Sequence, residues 1–249
     1  MPSVEGSRLA TIEGAGVELA YVERGAGEPI LLVHGIAADS KSWESTQEAL
    51  ASRARTIAYD RRGYGGSGAP EPYERTTVSE QAEDAVALLH ARDAAPAILC
   101  GADLGALVCL DLLVRHAPLA RAAVLIDPPL YAFVAAATEA LSRERVVLEQ
   151  ALRAGGRGAA VDAYLVARGC DEAARARARP GTFFADYGAL ASWPVARREL
   201  RAITAPLVVI RSERAAPHDH DAAEALVALV PGARLVHGEK PARALAELL

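Results

Sequence analysis

Cysteine is scarce in this chain: Cys100, Cys109 and Cys170 are the only three in 249 residues. They form neither a disulfide framework nor a metal-ligand spacing, and Cys100 and Cys109 fall in apolar stretches where buried thiols are ordinary. No run of basic residues stands out beyond scattered Arg between residues 168 and 179, and the formal charge is −5. Nucleic acid is therefore not an expected partner. No stretch approaches the ~18 uncharged apolar residues of a membrane span. The N-terminus, Met1-Pro-Ser-Val-Glu5, lacks the basic and apolar segments of a secretion signal, so a cytoplasmic protein is expected. Internal repeats and low-complexity linkers are also missing. What is present is a chain that is 51% apolar, too apolar for disorder. Its length suits one large α/β domain, or one domain with an insertion.

The segment from Ile98 to Leu110 organises the rest. An apolar run ending at Cys100 meets Gly101-Ala102-Asp103-Leu104-Gly105, and a helical pattern continues to about Arg115. A strand, a sharp turn and a helix are expected. Such a turn holds its central residue in a strained conformation and lifts the side chain above the sheet. The helix N-terminus beneath it offers free N–H groups and positive potential.

The flanking chain alternates strand and helix. Val17–Val22 and the apolar run Ile30–Val33 read as strands, and a helix is expected over about 42–53. Arg55–Tyr59 is the next strand and 78–92 an amphipathic helix; after the turn, Ala122–Ile126 is another strand. This alternation implies a parallel sheet with right-handed crossovers, whose sites lie outside the carboxyl ends of the strands. His34, Asp60, Asp103 and Asp127 each stand at such an end. From Leu130 to about Arg201 the alternation stops, and the segment reads as several helices broken at Gly155-Gly156, Gly169, Pro180-Gly181 and Pro194. Strand 206–210, helix 221–229, strand 233–236 and helix 241–249 then close the chain. The expected division is a core of residues 1–128 and 202–249, with 129–201 as a helical lid between strands six and seven.

His34-Gly35 after one strand, Asp60-Arg-Arg-Gly-Tyr-Gly-Gly-Ser67 after the next, the Gly-x-Asp-x-Gly turn and a helical insertion together resemble the α/β-hydrolase superfamily. Asp103 at the turn resembles the branch that holds haloalkane dehalogenases and epoxide hydrolases. The resemblance implies an α/β-hydrolase fold, no cofactor and no metal. It also implies a carboxylate nucleophile, Asp103, that forms an ester hydrolysed by a His-activated water. A carboxylate is ionised at neutral pH and needs no base to attack an sp³ carbon. The N–H groups of Ile36 and Leu104 would form the oxyanion hole.

The chain departs from that branch in ways that narrow the chemistry. Leu104 and Ile36 stand where dehalogenases hold their halide, which argues against dehalogenation. Ala37 replaces the Pro of the epoxide-hydrolase His-Gly-x-Pro. Tyr131, Tyr164 and Tyr187 are the lid tyrosines that would serve as acids on an epoxide oxygen. His34 and Trp193 complete the candidate substrate contacts. Ser212-Glu213-Arg214-Ala215 lacks the usual acid after strand seven, leaving Asp127 as its replacement. His237 is the expected base, although its loop is several residues short, with His218 and His220 as reserves on the preceding loop. A small-molecule substrate is expected. Three readings follow: epoxide-hydrolase-like hydrolysis, a cyclase, isomerase or lyase using Asp103 as acid or base, and a non-catalytic ligand-binding protein.

Overall fold

A computed structural model describes residues 9–170, 178–190, 192–213, 215–238 and 240–249. Met1–Glu5, Arg175, Arg177, Arg214 and Glu239, which figure in the sequence reading, lie outside the described residues. Eight strands form one sheet in the order β1-β2-β4-β3-β5-β6-β7-β8. They are β1 (Ala10–Glu13), β2 (Glu18–Arg24), β3 (Pro29–Val33), β4 (Arg55–Tyr59), β5 (Ala97–Ala102), β6 (Ala120–Ile126), β7 (Leu207–Arg211) and β8 (Arg234–His237). β2 runs antiparallel to both β1 and β4, and the remaining pairs are parallel.

The continuous apolar runs of the inner strands are explained by burial on both faces. In β3, Leu31 and Val33 point to one core and Ile30 and Leu32 to the other, as a period of two requires. The first core packs helices α2 (Val78–Ala91) and α3 (Leu104–Arg115). The second is closed by α1 (Glu44–Leu50) and α8 (Pro241–Leu248). β1 has a weak alternation of half-buried and exposed residues, and the sequence reading did not anticipate it.

Between β6 and β7 lie α4 (Ala135–Ala167), α5 (Pro180–Leu190) and α6 (Arg197–Arg201). α4 breaks its helical geometry at Gly156 (φ 75°, ψ −169°), where the sequence places a Gly-Gly break. The final crossover helix, α7 (Pro217–Leu229), begins four residues earlier than the apolar pattern suggests. Pro217 occupies its first turn, where a fixed φ and a missing N–H cost nothing, and the Asp219 carboxylate accepts the Ala216 N–H at 3.0 Å. His218 and His220 therefore sit on a helix rather than on a loop. Among the described residues no helix is long and apolar enough to cross a membrane.

A buried ion pair joins the inserted helices to the sheet. Arg61 and Asp186 of α5 are 1% and 0% exposed, and their nearest charged atoms are 2.8 Å apart. Arg61 also donates to the carbonyls of His34 (2.8 Å) and Gly35 (2.9 Å) and to the Gln81 side chain. Asp186 further accepts Tyr64 Oη–H and Gln81 Nε2–H, both at 2.8 Å. Removing one member of such a pair leaves an uncompensated buried charge, which is strongly destabilising. Asp186→Ala should therefore lower the unfolding free energy by about 3–5 kcal/mol, read as a shift of the urea midpoint.

Candidate active site

The turn between β5 and α3 holds Asp103 at φ 50°, ψ −124°. This is a region of positive φ that few non-glycine residues adopt, Asn and Asp more readily than most. The tight packing beneath it needs small residues. A Cβ on Gly105 would lie 2.2 Å from the Val33 carbonyl oxygen, and one on Gly35 would lie 2.9 Å from Asp103 Cβ. These glycines let the β3 loop and the head of α3 close around the carboxylate. The Ile36 N–H donates to Asp103 Oδ2 at 2.9 Å. Ala37, next along that loop, is itself at φ 56°.

Asp103 is half-buried, and burial pushes its pKa above the usual carboxylate value. The Arg168 guanidinium and the backbone amides of Ile36 and Leu104 oppose that rise, while the negative charge of Asp219 adds to it. Arg168, just after α4, stacks its guanidinium over the Tyr164 ring at 4.9 Å. It lies 3.4 Å from Glu144 and 3.8 Å from Asp219. The hydroxyl of Tyr131 donates to Asp219 Oδ1 at 2.5 Å. Tyr131 and Tyr164 are both buried, and the charge of Asp103 helps to raise the pKa of each. Asp103, Tyr131, Tyr164, Arg168 and Asp219 thus form one electrostatic cluster. Asp219 and Arg168 were not among the sequence candidates. Asp219 carried a signal, an acid three residues after a helix N-cap; Arg168 carried none.

The other expected residues fall into place unevenly. Asp127 stands at the end of β6, as expected, at φ 44°. It accepts the Ser212 N–H at 2.9 Å, and no hydrogen bond joins it to a histidine among the described residues. Its pKa is raised by burial, with His220 among the charges acting on it. His34 is not a substrate contact. It is fully buried, its Nε2 accepts the Arg61 N–H (2.9 Å), and Nδ1 pairs with the Gly35 carbonyl (2.8 Å). Tyr187 gives its hydroxyl to Glu144 at 3.0 Å, and Trp193 gives its indole N–H to Asp111 at 2.6 Å. Both rings, with Tyr131, Leu141 and Leu190, line an apolar cavity of about 440 Å³ among the inserted helices. Asp103 does not line that cavity; Tyr131 connects the two.

His237 is the main correction. It is exposed and ends the edge strand β8 opposite Arg211. It lines a separate depression with Val236, Gly238, Lys240 and Arg243. The register Ala102↔Ile126↔Ile210↔Val236 puts it three strands from the elbow, about 14 Å at ordinary strand spacing. Only three residues, 238–240, separate it from α8 in sequence. The two reserve histidines stand on the first turn of α7. His218 lies 5.4 Å from Tyr131, centroid to centroid, and the charge of His220 bears on Asp127.

The sequence matches the model of the alpha/beta hydrolase fold family over residues 28–147. It is 32% identical over 212 residues to the 2-(acetamidomethylene)succinate hydrolase of Mesorhizobium japonicum, covering 77% of this chain and 72% of that protein. The chain belongs to the α/β-hydrolase fold family. Within the family it is 39% identical over 92 residues to an epoxide hydrolase of Caballeronia sordidicola, covering 36% of this chain and 28% of that one. Against several other curated relatives the chain spans 39–41% of their length. Among solved structures, the epoxide hydrolase of Vigna radiata has the same fold, with a TM-score of 0.74 at 21% identity over 98% of this chain and 95% of that one.

The raised pKa of Asp103 has a consequence for stability. Between the unfolded value near 3.8 and the higher folded value, the folded state holds more protons than the unfolded one. Stability attributable to this group therefore falls as pH rises through that window. Asp103→Asn removes the effect and suits the positive φ. The variant should match wild type in melting temperature at pH below 3.8 and equal or exceed it at pH 7, by differential scanning calorimetry.

Proposed function

We propose that this chain is a hydrolase that opens an epoxide, or hydrolyses a comparable small apolar substrate, through a covalent ester on Asp103. The observation that carries the reading is the Asp103 carboxylate on a strained elbow, with Oδ2 held by the Ile36 N–H. In the first step a carboxylate oxygen of Asp103 attacks a ring carbon and the C–O bond breaks. The departing alkoxide takes a proton from Tyr131 or Tyr164. In the second step water adds to the ester carbonyl. The Ile36 and Leu104 amides stabilise the tetrahedral oxyanion; one proton of the water leaves with the alcohol, and the other passes from the Asp103 carboxyl to the tyrosinate, which restores both side chains. Arg168 supports the first step by favouring the ionised form of a buried nucleophile. The apolar walls of the cavity beside Tyr131 suit a small apolar substrate. The Caballeronia sordidicola relative, named an epoxide hydrolase, agrees with this reading. The relative from Mesorhizobium japonicum, named for a succinate derivative, agrees on hydrolysis but not on an epoxide.

A second reading has a specific observation behind it. With His237 exposed and remote from the elbow, Asp103 could act as an acid or base in a cyclisation, isomerisation or elimination without forming an ester. The two readings differ in where an oxygen goes. In a single turnover with a terminal aryl epoxide in H2¹⁸O, the ester route puts ¹⁸O into the Asp103 carboxylate, seen as a mass gain in its peptide. The proton-transfer route leaves that peptide unlabelled. Asp103→Asn should abolish turnover under both.

Arg168→Met should raise the pKa of Asp103, because it removes the largest influence that lowers it. The acid limb of the kcat/KM profile should move to higher pH, while kcat on the alkaline side of that limb changes little. An unmoved acid limb would mean that Arg168 does not act on the nucleophile.

A further inference from the structure

We propose that the base that activates water is His218, on the first turn of α7, with Asp219 as its counter-charge. This rests on the nucleophilic reading of Asp103. The histidine ordinarily expected after the last strand has no route to the elbow in this chain, since His237 is exposed at the sheet edge and the connection to α8 is short. His218 lies on the first turn of α7, packed against Tyr131 of the inserted segment. Its side chain is 15% exposed, and its Nε2 lies 3.7 Å from Asp219 Oδ1, beyond hydrogen-bond reach. That nitrogen is buried and has no hydrogen-bond partner among the described residues. Buried polar atoms are nearly always satisfied, so an orphan imidazole nitrogen is a place for a water molecule.

The surroundings point the same way. His218 packs against Tyr131 with ring centroids 5.4 Å apart. Tyr131 donates to Asp219, and the charges of Asp219 and Asp103 act on one another. A water held by His218 Nε2 therefore stands beside Tyr131 and Asp219, two members of the cluster that acts on Asp103. In the step itself Nε2 takes a proton from water as the oxygen forms its bond to the Asp103 ester carbonyl carbon. The imidazolium sits beside the Asp219 carboxylate. When the tetrahedral intermediate collapses, the C–O bond to the alcohol breaks and the alkoxide takes that proton from His218. The second proton of the water, left on the Asp103 carboxyl, passes to the tyrosinate formed in the first step, so that His218, Asp103 and the tyrosine all return to their starting forms. Asp219 is a positioning residue here. Its second oxygen is tied to the Ala216 N–H, so the helix N-terminus holds it still. His220 also has an unpartnered buried Nε2, but residues two apart on a helix do not share a face, and its charge acts on Asp127.

The test is to incubate each variant with a terminal aryl epoxide and follow intact mass. His218→Gln should accumulate protein plus one epoxide, with release slowed by about 10²-fold or more. His237→Gln should turn over like wild type. Added imidazole should restore release in His218→Ala, a response that a merely structural histidine would not give. The folded state of both variants is checked by near-UV circular dichroism. Wild-type release rates in His218→Gln would overturn the assignment, and so would a trapped ester in His220→Gln or His237→Gln instead. If Asp103 of the wild type still takes up ¹⁸O in those cases, the nucleophilic reading survives without His218. If no variant forms an adduct and wild-type Asp103 takes up no ¹⁸O, the nucleophilic reading fails and this assignment fails with it.

Discussion

The contact on which the site depends is the buried pair of Arg61 and Asp186. Two charges removed from water carry a large desolvation penalty, and their attraction offsets it only when the remaining donors and acceptors are also satisfied. Here the surrounding groups meet that condition. Arg61 reaches Asp186, the Gln81 side chain and two carbonyls of the loop after β3, while Tyr64 and Gln81 complete Asp186. Holding the His34 and Gly35 carbonyls from behind directs the following amide, that of Ile36, toward Asp103. The same pair fastens α5, and so the inserted helices, to the sheet. One buried interaction therefore sets both the amide that faces Asp103 and the docking of the inserted helices on the sheet.

The carboxylate at the elbow lives with opposing demands. Burial and the neighbouring Asp219 favour its neutral form, while Arg168 and the two amides favour the ion. A half-buried carboxylate with a cation near it is the balance of these influences. Strain at φ 50° and at the neighbouring Ala37 is stored by the glycine-lined packing. Such strain persists only where the surrounding structure over-determines it.

The family relationship gives the fold, and the local geometry decides which polar groups stand near Asp103. The solved structures that this chain resembles share the fold, and in this chain the register of β7 and β8 and the short connection to α8 leave His237 on the outer edge. The polar groups that gather near Asp103 come instead from the start of α7 and from the inserted helices. The segment Pro217-His218-Asp219-His220 supplies an acid and two imidazoles within one helical turn. This concentration follows from α7 starting early, so that its first turn faces Tyr131 and the end of β6.

Much of this was written in the chain. The apolar runs, the alternation of strand and helix, the Gly-x-Asp-x-Gly turn and the loss of alternation after Leu130 determine a hydrolase-type sheet with an inserted helical block. They do so because each is a local signal of periodicity or backbone freedom. The Asp60–Ser67 motif was legible as a family mark. What its charges do was not, because the partners of Arg61 and Arg62, Asp186 and Asp84, are distant in sequence. Where each histidine stands was decided by tertiary structure alone. His237 and His218 both lie near strand ends in sequence; only strand order and the length of one connection separate the edge of the sheet from its centre. Arg168 and Asp219 join the cluster around Asp103 for the same reason: long-range packing brings a residue just after an inserted helix and a helix-capping acid to one carboxylate.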